Sequence, residues 1–279
     1  MTTLTELVHR IEQDDALDRV AKPISSAVGR LVRPRSVRNL LSGTWLGHPL
    51  HPVLSDLPIG AWSMAALLDA RDLRAADALV GAGIAAAVPT AAAGLNDWSD
   101  TYGEETRLGL VHAAANTTAL SLHLASLMAR RRDHRRLGKA LSLAGCAALL
   151  VGGYLGGHLS FVKAVNVNHT AWPAGPDAWT PVLAEADLAA ETPRRVDTGG
   201  APVLLYRHDG AVYAIAATCS HAGGPLDEGS IADGCVTCPW HGSTFRFADG
   251  SVVRGPATVA QPCYDTRVHD GHLEVRART

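Results

Sequence analysis

Residues 219–226 read CSHAGGPL, and residues 238–246 read CPWHGSTFR. Each stretch holds a cysteine and a histidine separated by one or two residues, inside sequence rich in the Gly and Pro of loops. Upstream, PVLLYRHDGAVYAIAA alternates with a period of two around Asp209-Gly210, which predicts a β-hairpin. The pattern therefore predicts a β domain that presents four candidate metal ligands on two loops: Cys219, His221, Cys238 and His241.

Two kinds of metal centre fit these ligands. Two thiolates and two imidazoles can hold zinc tetrahedrally. However, one residue between Cys219 and His221 is too tight for ordinary zinc-finger geometry, and no finger helix is predicted after them. The alternative is a [2Fe-2S] centre in which two His replace two Cys on one iron. Such a centre needs two loops whose backbone amides turn toward the sulfides, and the residues that permit this are Gly223, Gly224, Pro225, Pro239 and Gly242.

The boxes CSHAGG and CPWHGS, with FADGSVVRGPA downstream, resemble the Rieske iron-sulfur family. The resemblance covers residues 179–279 and implies an all-β domain that carries a Rieske-type [2Fe-2S] cluster. It also implies that Cys219 and Cys238 ligate one iron, and that His221 and His241 ligate the other.

The sequence departs from the Rieske proteins of cytochrome bc complexes at three positions. Gly224 and Trp240 stand where those proteins have a disulfide, and Phe245 stands where they have a Tyr, whereas the hydroxyl of Ser243 is kept. We expect Ser243 and Trp240 to lie next to the cluster. Fewer hydrogen bonds to the cluster predict a potential toward the low end of roughly −150 to +300 mV. The other three cysteines are expected to be buried core thiols: Cys146, Cys235 and Cys263.

The first half of the chain has a different composition, dominated by Ala, Leu, Val and Gly. Four apolar stretches each approach the ~20 residues that a helix needs to cross a membrane. A buried bundle in a soluble protein is the alternative. A net charge of −2 gives no basis for binding nucleic acid. The predicted membrane segments are 50–69, 78–96, 108–129 and 140–161.

Histidines recur inside these segments, where ionisable groups are costly and usually functional. In an up-down-up-down bundle, four of them would collect at one membrane face beneath the C-terminal domain, and His123 would lie deeper. Such a cluster could bind a b-type haem, another metal or a quinone headgroup, or it could cap helix ends. The candidate residues are His48, His51, His112, His123 and His158.

The run GTWLGHPLHPVLSDLPIGAW and the helices after it resemble an uncharacterised bacterial four-helix membrane domain. This likeness spans residues 40–162 and implies architecture only. The predicted fold is a multidomain membrane protein, with an all-α four-helix transmembrane bundle followed by an all-β Rieske domain. Before the bundle, an amphipathic helical arm could lie on anionic lipid or pack on the protein. The predicted divisions are an arm at 1–46, a membrane domain at 47–162, a linker at 163–178 and the Rieske domain at 179–279.

These features favour a membrane-bound electron carrier that exchanges single electrons with a haem, a quinone or a soluble redox protein. We expect an oxidoreductase component rather than a complete enzyme, in contact with membrane lipid. A terminal oxygenase is disfavoured, because the sequence ends soon after the Rieske likeness and leaves no room for a mononuclear iron domain. The alternatives are a redox sensor or assembly factor, and a tethered ferredoxin that serves an oxygenase.

Cues to sidedness in the bacterial cytoplasmic membrane conflict. Residues 130–140, RRRDHRRLGKA, form the most basic loop, which predicts a cytoplasmic position and external termini. The Arg135-Arg136 pair before an apolar helix is also typical of twin-arginine export. Against this, four arginines precede the first segment, and the missing disulfide suits a reducing compartment. We favour an external Rieske domain. The four arginines that argue against this position are Arg30, Arg33, Arg35 and Arg38.

Overall fold

The computed structural model describes residues 3–71, 73–172 and 175–278. The chain divides into two compact units, which are Met1–Arg33 with Leu50–Val165, and Pro34–Pro49 with Asn166–Thr279. Residues 34–46, which were predicted to lie in the N-terminal arm, belong to the C-terminal unit in the structure. The chain therefore crosses between the units at three places. The other predicted domain boundaries stay predictions.

Seven α-helices precede the strands within the described residues. Six of them belong to the N-terminal unit, and α3 belongs to the C-terminal unit. Their bounds are α1 Thr3–Gln13, α2 Asp18–Leu31, α3 Arg35–Ser42, α4 Leu50–Asp69, α5 Ala75–Trp98, α6 Gly103–Arg131 and α7 Arg135–Phe161.

The four predicted membrane segments lie within α4 to α7, and two of these helices are candidate membrane spans in the described part of the chain. By length and composition, α5 and α7 are apolar enough to span, with mean hydropathies of 1.7 and 1.6 over their most apolar windows. Polar residues lower the hydropathy of the other two helices: Asp56 lies within α4, and His112, Asn116 and His123 lie within α6. The predicted four-helix transmembrane bundle is thus shown only as a helical unit with two candidate spans.

Glycines on α7 let α6 approach closely. A Cβ on Gly145 would lie 2.5 Å from the ring of His123, and a Cβ on Gly152 would lie 2.6 Å from Asn116 Oδ1. Real Cβ atoms do not approach other atoms so closely, so these positions need glycine. Small residues on a helix face let a neighbouring helix approach closely, and Gly152 has this effect here. By contrast, Gly153 faces open space.

A buried ion-pair network joins α4, α5 and α6. The guanidinium of Arg130, on a side chain 1% exposed, contacts the carboxylate of Asp69 and lies 2.7 Å from that of Asp77. Lys139 adds a bond from Nζ to the Asp69 carbonyl at 2.8 Å. Because a buried charge needs a partner, this network fixes the end of α6 against the two preceding helices.

The C-terminal unit contains ten strands in two antiparallel sheets within the described residues. The larger sheet has six strands in the order β1-β10-β9-β4-β3-β2, and the smaller has four in the order β5-β6-β7-β8. The strands are β1 Thr180–Ala184, β2 Arg194–Asp197, β3 Pro202–His208, β4 Ala211–Ala216, β5 Ser230–Ala232, β6 Cys235–Thr237, β7 Thr244–Arg246, β8 Val252–Arg254, β9 Cys263–His269 and β10 His272–Ala277.

The β3–β4 hairpin confirms the predicted one, with His208 opposite Ala211 and a turn in which Asp209 and Gly210 have φ of 49° and 76°. Side chains on the two faces of β3 enter two separate hydrophobic cores. Val203 and Leu205 pack into one, whereas Leu204 enters the other together with Phe245 of the small sheet. Burial on both faces explains why apolar residues occupy consecutive positions of this strand instead of only the alternate ones predicted. Leu204 and Phe245, in the same core, hold the small sheet against the large one.

Candidate metal centre

The two ligand-bearing loops are tight turns held by backbone hydrogen bonds. In the first loop, between β4 and β5, the amide of Cys219 donates to the Gly224 carbonyl at 2.8 Å, and Gly223 turns the chain with a φ of 77°. In the second, between β6 and β7, the amide of Cys238 donates to the Ser243 carbonyl at 2.8 Å. Gly242 has a φ of 72° there. Positive φ favours glycine, which explains these two positions in the boxes.

All four predicted ligands come together at the ends of these loops. The thiols of Cys219 and Cys238 are hydrogen-bonded to each other and are 1% and 2% exposed. The rings of His221 and His241 lie with their centroids 4.9 Å apart and their planes at 83°. Each loop contributes one thiol and one imidazole. The result is a buried thiol pair beside an imidazole pair.

Backbone amides surround the two sulfurs. The pKa of Cys238 falls to about 6, chiefly because the Cys219 thiol donates a hydrogen bond to its sulfur, with further lowering by the amides of Trp240 and His241 and with burial opposing. The same thiol contact and burial raise the pKa of Cys219, while the amides of His221 and Ala222 favour its thiolate. Amides aimed at sulfur stabilise negative charge there, which is what a metal thiolate requires.

The imidazole of His221 is held in the neutral form that binds metals. Burial is the main cause that lowers its pKa to about 3, followed by the charges of His241, Arg38 and His169. Its Nδ1 is buried and has no hydrogen-bond partner among the described residues. A buried nitrogen without a partner is costly unless something binds it. With two thiols, two imidazoles and inward-facing amides, the site fits a [2Fe-2S] centre that takes two protein ligands on each iron.

Gly224 and Trp240, the positions that correspond to a disulfide in cytochrome bc complexes, lie side by side. A Cβ on Gly224 would be 2.8 Å from Cys238 Sγ and 3.1 Å from Trp240 Cδ2. Glycine therefore lets the first loop reach the second. Trp240 itself is 52% exposed at the end of the domain, and Ser243 is fully buried, where its hydroxyl accepts a bond from the Ala257 amide at 2.9 Å.

Sequence reasoning missed two residues that hold the first loop. The amide of Gln261 donates from Nε2 to the carbonyls of Ala216 and Thr218 at 3.1 and 2.7 Å, and its Oε1 accepts from the Ser220 amide at 2.9 Å. The backbone amide of His169 donates to the Ser220 carbonyl at 3.0 Å. Neither residue belongs to a motif, and both lie far from Ser220 in the sequence. No local pattern therefore predicts their contacts with the first loop.

The remaining three cysteines were predicted to be buried core thiols, but they are only partly buried. Cys146, Cys235 and Cys263 are all free and partly exposed. Cys235 lies at one end of the short strand β6, where its sulfur contacts only the Asp233 carbonyl at 3.6 Å in the described hydrogen bonds. Strand ends leave part of a side chain outside the core, which explains the partial exposure of Cys235.

Two of the five predicted bundle histidines form a pair. His51 on α4 and His112 on α6 have ring centroids 6.4 Å apart at 82°. The Nδ1 atom of His51 lies 3.0 Å from the Thr90 carbonyl, and that of His112 lies 2.8 Å from the Gly152 carbonyl. Donation from Nδ1 to a carbonyl leaves Nε2 as the nitrogen able to accept a bond or a metal.

The other three histidines have different partners. His123 is fully buried, stacks on Trp62 with centroids 4.0 Å apart and lies 3.9 Å from Cys146 Sγ. His158 contacts the Glu12 carboxylate at 3.3 Å. His48 precedes α4 in a segment of the C-terminal unit and is exposed. We expected four of these histidines to collect at one face with His123 deeper; within the described residues, they form one pair and three separate side chains.

Comparison with known proteins agrees with this geometry. Residues 178–265 match the family described as Rieske [2Fe-2S] domain. Ferredoxin CarAc of Metapseudomonas resinovorans is 34% identical over 98 residues, which are 35% of this chain and 92% of that protein. The chain belongs to the Rieske [2Fe-2S] family. A Rieske-type [2Fe-2S] cluster is accordingly its cofactor, and likeness to ferredoxins implies electron transfer.

The chain is also similar to two proteins of dioxygenase systems. The anthranilate 1,2-dioxygenase ferredoxin subunit of Burkholderia cepacia is 31% identical and covers 35% of this chain and 90% of that subunit. A chain in the solved complex of reduced oxygenase and oxidised ferredoxin in carbazole 1,9a-dioxygenase is 31% identical, with a TM-score of 0.35 over 37% of this chain and 98% of its own. Upstream of the Rieske domain, residues 47–169 match the family described as predicted membrane protein (DUF2231).

Proposed function

We propose that this protein is a membrane-anchored electron carrier whose Rieske domain exchanges single electrons with a redox partner. The observation that carries the proposal is the convergence of two thiols and two imidazoles from two loops on one buried site. The bound cluster supplies one-electron chemistry. The chain's own residues bind it, keep water from the sulfurs and point backbone amides toward them. Trp240 and the imidazoles lie at the more exposed end, where a partner can approach.

We assign Cys219, His221, Cys238 and His241 as the cluster ligands. The test uses His221→Ala and Cys238→Ser in the full-length protein, with Cys235→Ser as the matched control, because Cys235 is three residues from Cys238 and outside the site. Optical and EPR spectra of the reduced protein should lose the Rieske signal in the first two variants and keep it in the control. An unchanged spectrum in either ligand variant would refute the assignment.

The membrane part of the proposal is a bundle in which α4 and α6 cross the bacterial cytoplasmic membrane together with α5 and α7. The match to a predicted membrane protein family and the two apolar helices support it. Polar residues of α4 and α6 find partners on neighbouring helices, as His51 does at the Thr90 carbonyl. Internal satisfaction of this kind is what a helix with polar residues needs in lipid.

Service as a tethered ferredoxin for an oxygenase is the second candidate function. Two ferredoxin relatives, each covered over at least 90% of its length, favour it. Stopped-flow mixing of the reduced protein with a Rieske oxygenase component, and separately with a quinone analogue in detergent, distinguishes the partners. Fast oxidation by the oxygenase alone supports the ferredoxin role, whereas fast oxidation by the quinone alone supports exchange with the membrane pool.

For the bundle, we propose that His51 and His112 bind the second redox group, either a haem or another metal through Nε2 or a quinone headgroup through hydrogen bonds. The fixed Nδ1 atoms and the nearby, nearly perpendicular rings support this pair over the other three histidines. Haem and metal are assayed in the purified protein and in His112→Ala, with His48→Ala as an exposed control. Absence of any such group from the wild type, with no quinone retained, would favour the redox sensor or assembly factor.

A further inference from the structure

Helix α2 packs beside the turn that joins α5 to α6 in the N-terminal unit. Its first residue, Asp18, accepts a bond from Nε of Arg107 on α6 at 2.8 Å. Near the other end of α2, a Cβ on Gly29 would lie 4.0 Å from Cβ of Ser99, the residue that follows α5. Ala21, between these contacts, is fully buried. One face of α2 is therefore fixed against this end of the helical bundle.

The outer side of α2 exposes an apolar stripe. Val20, Ile24 and Leu31 are 51%, 42% and 77% exposed. Together with the half-buried Ala27, they recur at i, i+4, i+7 and i+11, which is the spacing of a single helix face. Single exposed apolar residues are ordinary on a protein surface, whereas a continuous row of large ones indicates an interaction surface.

A row of basic residues follows the same helix beside the apolar stripe. Arg19, Lys22 and Arg30 are all exposed and recur at i, i+3 and i+11, with Ser26 at i+7. This row lies roughly a third of a turn around the helix from the stripe. An exposed apolar row next to an exposed basic row is typical of a helix that lies in the plane of a membrane surface. There, apolar side chains enter the acyl region, and arginine and lysine bind the phosphates of anionic lipid.

The position of α2 favours lipid over a protein partner. Helix α5 is one of the two helices apolar enough to cross a membrane, and it ends at Trp98, next to the residue that α2 approaches. A spanning helix ends at the membrane surface, so α2 would lie at that surface. The long side chains of Arg19 and Arg30 reach headgroups from this depth while their stems stay on the apolar side.

We propose that α2 lies in the membrane interface, with Val20, Ile24 and Leu31 among the lipid acyl chains and with Arg19 and Arg30 on the phosphates of anionic lipid. The inference rests on the proposed crossing of the membrane by the helical bundle, and it adds a lipid-binding surface to that bundle. The sequence left two alternatives for the N-terminal arm, packing on the protein or lying on lipid. In this arrangement α2 does both, because its two uses fall on different faces.

The test places a photoreactive residue, benzoylphenylalanine, in the full-length protein reconstituted in nanodiscs of equal parts phosphatidylcholine and phosphatidylglycerol. Single positions are Ile24 on the apolar stripe, Ser26 on the basic row as the matched control, and Val88 at an exposed position of α5. After illumination, mass spectrometry identifies what each position has crosslinked. We expect lipid adducts at Ile24 and Val88 and a much lower yield at Ser26.

The three positions separate this inference from the membrane crossing on which it rests. Lipid adducts at Val88 without adducts at Ile24 overturn the inference and keep the crossing by α5. Absence of lipid adducts from both positions refutes the crossing, and the inference falls with it. Crosslinks from Ile24 to protein in place of lipid, whether to a second copy or to the same chain, overturn the inference. Equal lipid yields at Ile24 and Ser26 also overturn it, because the apolar stripe would then have no preference for lipid.

The identity of the crosslinked lipid tests the role of the basic row. Adducts at Ile24 should contain phosphatidylglycerol in excess of its share of the nanodisc. Arg19→Gln combined with Arg30→Gln should remove this excess. The matched control, Arg131→Gln combined with Arg132→Gln, removes the same charge from exposed positions at the opposite end of α6 and should keep the excess. An excess that is absent from the start, survives the first double variant or falls equally in both overturns binding to anionic lipid.

Discussion

At the scale of single residues, Gly224 shapes the cluster site although it contributes no ligand. Its missing side chain leaves the space in which the thiol of Cys238 lies, 2.8 Å from where a Cβ would be. Overpacking of a site by one methyl group typically costs about 1–3 kcal/mol. We expect Gly224→Ala to lower cluster occupancy, measured as iron and sulfide per protein. Gly200→Ala is the control, because no atom lies within 4 Å of that Cβ position. Equal occupancy in the two variants would contradict this account.

The residues of the site differ in how far the sequence revealed them. Cys219, His221, Cys238 and His241 could be predicted because the chemistry dictates their type and spacing, and the structure brings them together. Gln261 could not be predicted, because its bonds to the first loop join residues about 40 positions apart, as with Ser220. Arg38 gave a misleading signal: in the sequence it is one of four arginines typical of a lipid-facing arm, whereas the structure buries it in the C-terminal unit.

At the scale of elements, the Arg130 ion-pair network holds α4, α5 and α6 together. Its guanidinium bonds carboxylates from α4 and α5 while being nearly fully buried. Removal of one partner from a buried ion pair costs about 3–5 kcal/mol, because the other charge is left unpaired. We expect Arg130→Ala to lower the thermal unfolding temperature of the protein in detergent. Arg131→Ala, which changes the adjacent and exposed arginine, should have little effect. Similar losses in both variants would show that the network contributes nothing specific.

The segment before β2 is joined to β3 by a pH-sensitive contact. Glu191 accepts from the Tyr206 hydroxyl and lies 2.7 Å from Nδ1 of His208. Hydrogen bonding to Glu191 raises the pKa of His208 above 6.5, and bonds from Tyr206 and then His208 lower the pKa of Glu191 below 4.5. The histidine contribution is complete below its unfolded pKa of 6.5 and is lost as pH rises through its folded pKa. The glutamate contribution is present above 4.5 and is lost as pH falls through its folded pKa.

This contact predicts greatest stabilisation between the two unfolded pKa values. We expect the thermal unfolding temperature of the wild-type Rieske domain, followed by bleaching of the cluster absorbance, to fall as pH rises above 6.5. In Glu191→Gln the same scan should be flatter, since the variant lacks the carboxylate. Glu228→Gln, at an exposed carboxylate of the same domain, should follow the wild type. Parallel curves for wild type and Glu191→Gln would exclude a pH-dependent role for this contact.

Elements were predicted with unequal success for physical reasons. The β3–β4 hairpin follows from local alternation and a turn that needs positive φ, so a short window contains the signal. The helices α4 to α7 follow from long apolar stretches. The position of α3 could not be predicted in this way, because its eight residues carry no local sign that Asn39 will bond to the backbone near residue 254. Membrane crossing of α4 and α6 likewise depends on how neighbouring helices satisfy their polar groups.

At the scale of the whole molecule, one chain carries matches to two families. The match to the membrane family extends to residue 169, and the backbone amide of His169 donates to the first cluster loop. The end of the helical family match and the Rieske domain are therefore structurally continuous within the C-terminal unit. Part of the predicted linker at 163–178 is thus hydrogen-bonded to the first cluster loop.

The arrangement of the chain across the membrane gives the last prediction. If α6 crosses the membrane, the turns on its two sides lie in opposite compartments, and the basic run at 130–140 assigns its own turn to the cytoplasm. Alkaline phosphatase, which is active only outside the cytoplasm, should be inactive when inserted after Asp133 and active when inserted after Thr101. A fluorescent protein that folds only inside serves as the reciprocal control at both sites. Equal compartments for the two turns would refute a crossing by α6 and leave α5 and α7 as the only supported spans. A reversal of both signals would keep the crossing and place the basic turn outside.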